Sequence, residues 1–153
     1  MKKYYLAYGS NLNIRQMSWR CFDASVIGTT TLSGYRLAYK GTGDGSSYLT
    51  IEESKDHYVP LGVYEISLKD EKNLDIYEGY PTFYRKEYFS LIVGGKKIKA
   101  MIYVMNDEFS YHLPSKSYVK TCERGYSHFG FDTNLLQEAL EYSKNNKVKS
   151  LKR

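Results

Sequence analysis

Gly94 and Gly95 stand between two ten-residue runs that are rich in apolar, aromatic and β-branched residues, Tyr84–Val93 and Lys96–Met105. A two-residue hairpin loop of type I′ needs positive φ at both central residues, and glycine adopts positive φ without steric cost. This stretch therefore predicts an antiparallel β-hairpin, around which the remaining segments must be arranged.

Further strands are predicted in the first half of the chain. Tyr4–Tyr8 suits a short first strand, and four later segments are enriched in Val, Ile, Thr and Tyr: 22–32, 35–39, 48–52 and 58–66. Ser33 and Gly34 predict a tight turn between the first two of these, and residues 40–47, with three glycines and two serines, predict a loop.

Helices are predicted between and after these strands. One follows the first strand over residues 12–19, and another begins after Ser67, where Asp70 completes a capping box, and ends at Gly79. Two more are predicted late in the chain, one within residues 115–128 and one that Asp132 caps. Strands with a few, mostly late helices predict an α+β domain with a mixed or barrel-like sheet.

Length and composition indicate one globular domain over residues 1–143. A chain of 153 residues is long enough for one core, and with 42% hydrophobic residues it has no apolar run near the roughly 20 residues that span a bilayer. The amino end lacks the apolar segment of a signal peptide, so we expect a cytoplasmic protein without membrane contact. Cys21 and Cys122 lie far apart and are expected to be buried thiols.

The net charge of +5 is concentrated in residues 144–153, which carry five cationic side chains and no acid. Without this segment the chain is neutral. A short basic terminus is usually solvated, so we predict an exposed tail. Binding of nucleic acid is the less favoured alternative.

The familiar catalytic and cofactor motifs are missing from the sequence. There is no P-loop, no dinucleotide fingerprint and no G-x-S-x-G elbow, and no histidine has a second ligand at a helical interval (His57, His112 and His128). No partner residue supports Ser10, Cys21 or Cys122 as a nucleophile.

The segment Tyr8–Asn11, with the sequence Y-G-S-N, interrupts the chain directly after the first predicted strand. Gly9 permits unusual backbone angles and close approach of a ligand, and amides at the start of the next helix attract an anion. Ser10 and Asn11 add a hydroxyl and an amide. The segment suits a carboxylate, and the alternative is a plain turn with an asparagine cap.

Glu78 follows a predicted helix and has several aromatic neighbours in the sequence: Tyr77, Tyr80, Phe83 and Tyr84. Desolvation by such neighbours raises the pKa of a carboxyl group toward neutrality, where a general acid/base operates. The alternative is a glutamate that points into solvent at a helix end.

Three blocks together, "YLAYGSNL", "LDIYEGYP" and "LPSKSYVKTCERG", resemble the γ-glutamylcyclotransferase-like family, which includes the AIG2-like γ-glutamylamine cyclotransferases. Their order and spacing match over roughly residues 3–130. The resemblance implies a small mixed β-barrel with surrounding helices and no metal or organic cofactor.

The resemblance also implies roles for particular residues. Glu78 is the catalytic acid/base, Tyr118 lines the pocket, and the substrate-binding turn comprises Tyr8, Gly9, Ser10, Asn11 and Leu12. In the implied reaction the α-amine of a γ-glutamyl amide attacks its own γ-carbonyl and releases 5-oxoproline and an amine. This requires the turn and Glu78 to meet across one cavity.

The residues leave several alternatives open. A non-catalytic module that binds a small carboxylate has the same sequence features, except that it does not need Glu78. The loop 40–47 and the aromatic block 80–84 are expected to shape the leaving-group side, although the amine cannot be identified from them. An exposed strand edge would allow a homodimer.

Overall fold

The protein is described by a computed structural model that covers residues 3–151, with side chains described as far as Lys147. Six strands form one mixed sheet in the order β4-β5-β1-β3-β2-β6, in which β1 and β5 are parallel and all other neighbours antiparallel. The strands are β1 Lys3–Ala7, β2 Ser25–Gly41, β3 Ser47–Ile66, β4 Tyr84–Val93, β5 Lys96–Met105 and β6 Ser110–Tyr111. The predicted α+β class is confirmed.

The predicted hairpin is confirmed with the expected bounds. β4 and β5 pair over their whole lengths, and Gly94 and Gly95 have φ values of 56° and 78°, both positive as a type I′ loop requires. The hairpin joins the rest of the sheet through the parallel pairing of Tyr5 in β1 with Met101 in β5.

The tight turn predicted at Ser33 and Gly34 is wrong. β2 and β3 are each one long strand, and they stay paired with each other on both sides of this point. Ser33 pairs with Tyr58 and Tyr35 pairs with Glu53, so Gly34 of β2 lies opposite four residues of β3, 54–57, and the register is irregular at this point. Gly34, with φ of 83°, absorbs the irregularity without reversing the chain. The glycine within this strand pattern therefore indicated an irregularity of the strand pairing and not a turn.

The sheet curves so that β2 approaches β4, the strand at the far edge. Thr30 in β2 donates a hydrogen bond of 3.0 Å from its hydroxyl to the carbonyl of Ile92 in β4. This contact brings the two sides of the sheet together, as a barrel-like arrangement requires. The inner side holds a continuous apolar core, to which β3 and β5 contribute most.

Four helices flank the sheet: α1 Ile14–Arg20, α2 Leu68–Glu78, α3 Lys116–Phe129 and α4 Asn134–Leu151. The predicted capping box at the start of α2 is confirmed, since the Ser67 side chain accepts from the Asp70 amide and the Asp70 carboxylate accepts from the Ser67 amide, each at 3.1 Å. Gly79 ends the helix with φ of 68°.

The boundary predicted between residues 143 and 144 does not coincide with the end of an element. α4 continues through this point to Leu151. The Ser143 side chain anchors the helix to β2 by accepting a 2.8 Å hydrogen bond from the Tyr39 amide. Lys147 pairs with Asp44 in the loop 42–46. The other predicted tail charges include Lys149, Lys152 and Arg153, which lie outside the described side chains. Within residues 3–151, no helix combines the length and apolarity needed to cross a bilayer.

Candidate active site

A cavity of about 260 Å³ opens beside the carboxyl end of β1, where the chain leaves the sheet. Strands β1, β3, β4 and β5 supply its walls, and α2 and α3 close its sides. Thirteen residues line it: Tyr5, Tyr8, Gly9, Ser10, Asn11, Tyr48, Leu49, Tyr77, Glu78, Phe83, Tyr84, Tyr103 and Tyr118. The lining is aromatic with one carboxyl group, which is the composition expected of a selective small-molecule site.

One wall of the cavity is the turn that follows β1. A single 3₁₀ turn over Ser10–Leu12 is closed by bonds of 3.0 Å from the Leu12 amide to the Gly9 carbonyl and 2.9 Å from the Asn13 amide to the Ser10 carbonyl. The amides of Ser10 and Asn11 precede these bonds and have no partner within the turn. These two amides are therefore the backbone donors that the hydrogen bonds of the turn leave unused.

The space around Gly9 is tight. Its backbone angles are φ −127° and ψ −130°. A Cβ atom at this position would lie 3.3 Å from the Tyr118 hydroxyl and 3.5 Å from Leu49 Cδ1. A larger residue at this position would have to displace the Tyr118 hydroxyl.

Glu78 enters the cavity from the last position of α2. Its Oε2 atom lies 3.4 Å from Asn11 Nδ2, and the Asn11 amide also donates to the Tyr5 hydroxyl at 2.8 Å. Burial raises the pKa of the Glu78 carboxyl to about 8, and the positive charge of Arg20 opposes part of this rise. The group can therefore bind and release a proton near neutral pH.

Several tyrosines of the cavity are buried and neutral, and their hydroxyl groups support its walls. Burial raises the pKa of Tyr5, Tyr8, Tyr84, Tyr103 and Tyr118. The Tyr8 hydroxyl donates to the Tyr103 carbonyl at 2.6 Å, and the Tyr84 hydroxyl donates to the Leu49 carbonyl at 2.7 Å. These bonds tie β1, β3, β4 and β5 together around the cavity.

A ladder of aromatic rings begins at Tyr118, beside the turn. Edge-to-face contacts join Tyr118 to Tyr48, Tyr48 to Phe83 and Phe83 to Phe109, with ring centroids 5.1, 6.1 and 4.6 Å apart. The Asn106 side chain holds the loop that carries Phe83 by donating to the Pro81 and Thr82 carbonyls, both at 2.8 Å. Three rings of the ladder, those of Tyr118, Tyr48 and Phe83, line the cavity and offer apolar surface to a ligand.

An ion-pair network behind the cavity fixes α2 against the sheet. Lys86 in β4 contacts Glu71 at 2.7 Å and Asp75 at 2.9 Å, and the Tyr103 hydroxyl donates to Asp75 at 2.6 Å. Asp75 precedes Glu78 by about one helical turn, so this clamp sets the position from which Glu78 reaches the cavity.

The structure brings together most of the residues predicted for the site. Glu78 and Tyr118 line the same cavity as four residues of the turn, Tyr8, Gly9, Ser10 and Asn11. Leu12 is the exception, because its side chain is buried in the core, where it contacts the positions of Gly62 and Gly125. Leu12 therefore supports the turn from behind.

Four other residues of the lining were not predicted from the sequence. They come from strands, where nothing in the local pattern separates a cavity wall from a core face: Tyr5, Tyr48, Leu49 and Tyr103. Of the segments expected on the leaving-group side, the aromatic block contributes Phe83 and Tyr84, whereas loop 40–47 contributes no lining residue. Over residues 3–147, no cluster of His, Cys, Asp and Glu side chains has the makings of a metal site.

The chain matches the sequence model of the family "Gamma-glutamyl cyclotransferase, AIG2-like" over residues 5–120. A candidate gamma-glutamylcyclotransferase of Methanocaldococcus jannaschii is 37% identical over 54 residues, which is 35% of this chain and 45% of that protein. The alignment thus spans less than half of this curated relative.

Solved structures share the fold over nearly the whole chain. One that bears the name gamma-glutamyl cyclotransferase has a TM-score of 0.74 and 24% identity, covering 96% of this chain and 87% of the other. An uncharacterized Homo sapiens protein has a TM-score of 0.76 and 23% identity, covering 95% and 86%. At these identities the similarity concerns the fold.

Proposed function

Because the chain belongs to the gamma-glutamyl cyclotransferase, AIG2-like family, we propose that it converts a γ-glutamyl amide into 5-oxoproline and a free amine. The observation that supports this reaction best is the position of Glu78. Its carboxyl group is desolvated among tyrosines, and it shares a cavity with the turn that follows β1.

The reaction needs no nucleophile from the protein. The neutral α-amine of the substrate attacks the γ-carbonyl carbon, which closes a five-membered ring and forms a tetrahedral oxyanion. The carbon–nitrogen bond to the leaving group then breaks. Burial raises the pKa of the Cys21 and Cys122 thiols to about 12, so neither is a thiolate near neutral pH.

Glu78 carries the proton between the two nitrogens. As a carboxylate it accepts the proton that the attacking nitrogen loses, and it returns this proton to the leaving nitrogen, so it starts and ends each turnover ionised. A pKa of about 8 suits both directions of transfer near neutral pH. A positioned acid/base of this kind contributes about 10²- to 10⁴-fold.

The turn positions the substrate. In our proposal the amides of Ser10 and Asn11 hold either the α-carboxylate or the developing oxyanion, and Tyr118 lines the pocket beside Gly9. Folding the substrate so that its own amine faces the γ-carbonyl lowers the barrier by about 7 to 11 kcal/mol in well-aligned intramolecular reactions. Alignment and proton transfer together account for the reaction.

Product analysis tests the proposal directly. The purified protein is incubated with γ-glutamyl amino acids, γ-glutamyl dipeptides and γ-glutamyl amines, and released 5-oxoproline is measured by mass spectrometry. Glu78→Gln keeps the shape of the side chain but cannot shuttle protons, so we expect turnover to fall about 10²- to 10⁴-fold with binding retained. Glu123→Gln on the exposed side of α3 is the matched control.

Two results would contradict the proposal. Full turnover by Glu78→Gln would remove the proton carrier from the mechanism. Calorimetric binding of γ-glutamyl compounds without 5-oxoproline from any of them would instead indicate a non-catalytic carboxylate-binding module on the same fold.

A further inference from the structure

Arg20, the last residue of α1, lies next to the cavity without lining it. Its guanidinium donates to Asn11 Oδ1 through Nη1 and to Gln16 Oε1 through Nη2, both at 2.6 Å. The same group lies 3.6 Å above the centre of the Tyr77 ring. Two hydrogen bonds and one stacking contact thus hold the guanidinium in one place.

These contacts determine which way the Asn11 amide faces. A guanidinium has only donors, so the Asn11 atom that it contacts at 2.6 Å must be the oxygen. Nδ2 therefore faces the opposite direction, toward the Tyr5 hydroxyl and Glu78 Oε2. The Asn11 backbone is held as well, because the Tyr64 hydroxyl donates to its carbonyl at 2.8 Å.

We propose that Arg20 is a positioning residue for the reaction, which it serves by holding the Asn11 amide so that Nδ2 donates to the Glu78 carboxylate. The inference rests on the proposed function, in which Glu78 must be ionised to accept a proton. Without Arg20 the amide is free to rotate and present its oxygen to Glu78, which favours the protonated carboxyl group.

The charge of Arg20 favours the ionised form of Glu78, as the hydrogen bond from Asn11 Nδ2 also does. Five tyrosines face Glu78, and burial raises the pKa of each, so they stay neutral: Tyr5 from β1, Tyr8 from the turn that follows it, Tyr77 from α2, Tyr84 from β4 and Tyr103 from β5. Within the described part of the chain, Arg20 is the charged group that lowers the pKa of Glu78. Asp75, on the same helix as Glu78, is paired with Lys86 and Tyr103.

The residue also connects the two helices that frame this side of the site. The Arg20 carbonyl accepts a 3.0 Å hydrogen bond from the Asn73 side chain of α2, the helix that ends at Glu78. Because this hydrogen bond uses the backbone carbonyl of Arg20, we expect it to remain when the Arg20 side chain is replaced. A substitution at position 20 therefore removes the link to Asn11 while leaving this link between α1 and α2.

Titration of Glu78 tests the inference without relying on activity. Glutamate labelled with ¹³C at the carboxyl carbon is incorporated into the protein, and the Glu78 signal is assigned by its loss in Glu78→Gln. In Arg20→Met we expect the Glu78 pKa to rise by about one unit. Arg15→Met, which removes an exposed arginine of the same helix, should leave it unchanged.

Kinetics supply the second readout. A rise of one unit lowers the ionised fraction of Glu78 at pH 7 about tenfold, so kcat/KM of Arg20→Met should fall by that factor, with the acidic limb of its pH profile moved upward. Arg20→Lys keeps the charge and one donor, and its profile should lie closer to wild type. Arg20→Gln keeps a donor without charge, so it separates orientation of the amide from electrostatics.

The outcomes separate this inference from the proposed function. An unchanged Glu78 pKa in folded Arg20→Met and Arg20→Gln, or a loss of activity with no movement of the acidic limb, overturns the role of Arg20. If wild type releases no 5-oxoproline, the proposed function fails, and the titration still decides whether Arg20 controls Glu78. If Arg20→Met does not fold, the lysine and glutamine variants provide the same comparison.

Discussion

Glu78→Gln should stabilise the protein at alkaline pH while it removes activity. The Glu78 carboxyl has a pKa of about 8 in the folded protein, against an ordinary value of 4.5. Because the folded state favours the protonated form, the native state binds the extra proton between these two values. The contribution of Glu78 to the free energy of unfolding is therefore complete below pH 4.5 and is lost as the pH rises toward 8. Glutamine has no charge to desolvate and avoids this loss.

The size of the effect follows from the same difference. At about 1.4 kcal/mol for each unit of pKa, the upper limit is about 5 kcal/mol above pH 8. One side of the carboxyl faces the open cavity, where water solvates the ionised form, so we expect roughly half of this limit. The advantage of the variant should be near zero at pH 4.5, grow through neutral pH and become constant above pH 8.

Urea denaturation at several pH values between 4.5 and 9 measures this dependence, with the free energy of unfolding compared at each pH. Glu123→Gln, which changes an exposed glutamate, should follow wild type throughout. If Glu78→Gln and wild type lose stability in parallel as the pH rises, Glu78 is not desolvated in the folded state. The reasoning about its pKa, and with it the reason to assign proton transfer to this residue, would then be refuted.

Three further substitutions test the walls of the cavity. Gly9→Ala places a Cβ 3.3 Å from the Tyr118 hydroxyl, so steady-state kinetics should show a raised KM, and an unchanged KM would count against the turn as a binding surface. Gly125→Ala places a Cβ 2.6 Å from the Asn13 amide nitrogen, where backbone must move, and thermal or urea unfolding should show a loss of about 2 kcal/mol or more. Phe83→Ala removes an inner ring of the aromatic ladder, and relative kcat/KM for γ-glutamyl amides with bulky and small amines should shift toward the small ones. A uniform loss would mean that the ladder does not contact the leaving group.

Local signals in the sequence were reliable where the physics is local. The Gly94–Gly95 loop and the capping box at Ser67 depend on backbone angles and hydrogen bonds within a few residues, and both are found as predicted. Gly34 shows the limit of such signals, since the same residue type that makes a turn also absorbs a bulge. Whether the chain reverses there depends on the partner strand, and β3 continues past it.

Only part of the site could be predicted from the sequence. The resemblance and the chemistry of the side chains indicated Tyr8–Asn11 and Glu78, so the turn and the acid could be named. Nothing in the sequence indicated Arg20, because an arginine at the end of a short helix is ordinarily a solvated residue. Its contact with Asn11 exists because α1 folds back along the turn that precedes it.

The amino-acid sequence by itself determined the hairpin and the ends of α2, since these follow from local steric preference and hydrogen bonding. It also indicated the family, through a resemblance, and the residues whose functional groups are able to do chemistry. Only the tertiary structure decided that Leu12 faces the core, that strand tyrosines wall the cavity and that burial raises the pKa of Glu78 to about 8. Desolvation depends on every neighbour that excludes water. For Glu78 those neighbours include Tyr5 of β1 and Tyr103 of β5, which are distant from it along the chain and meet it only in the fold.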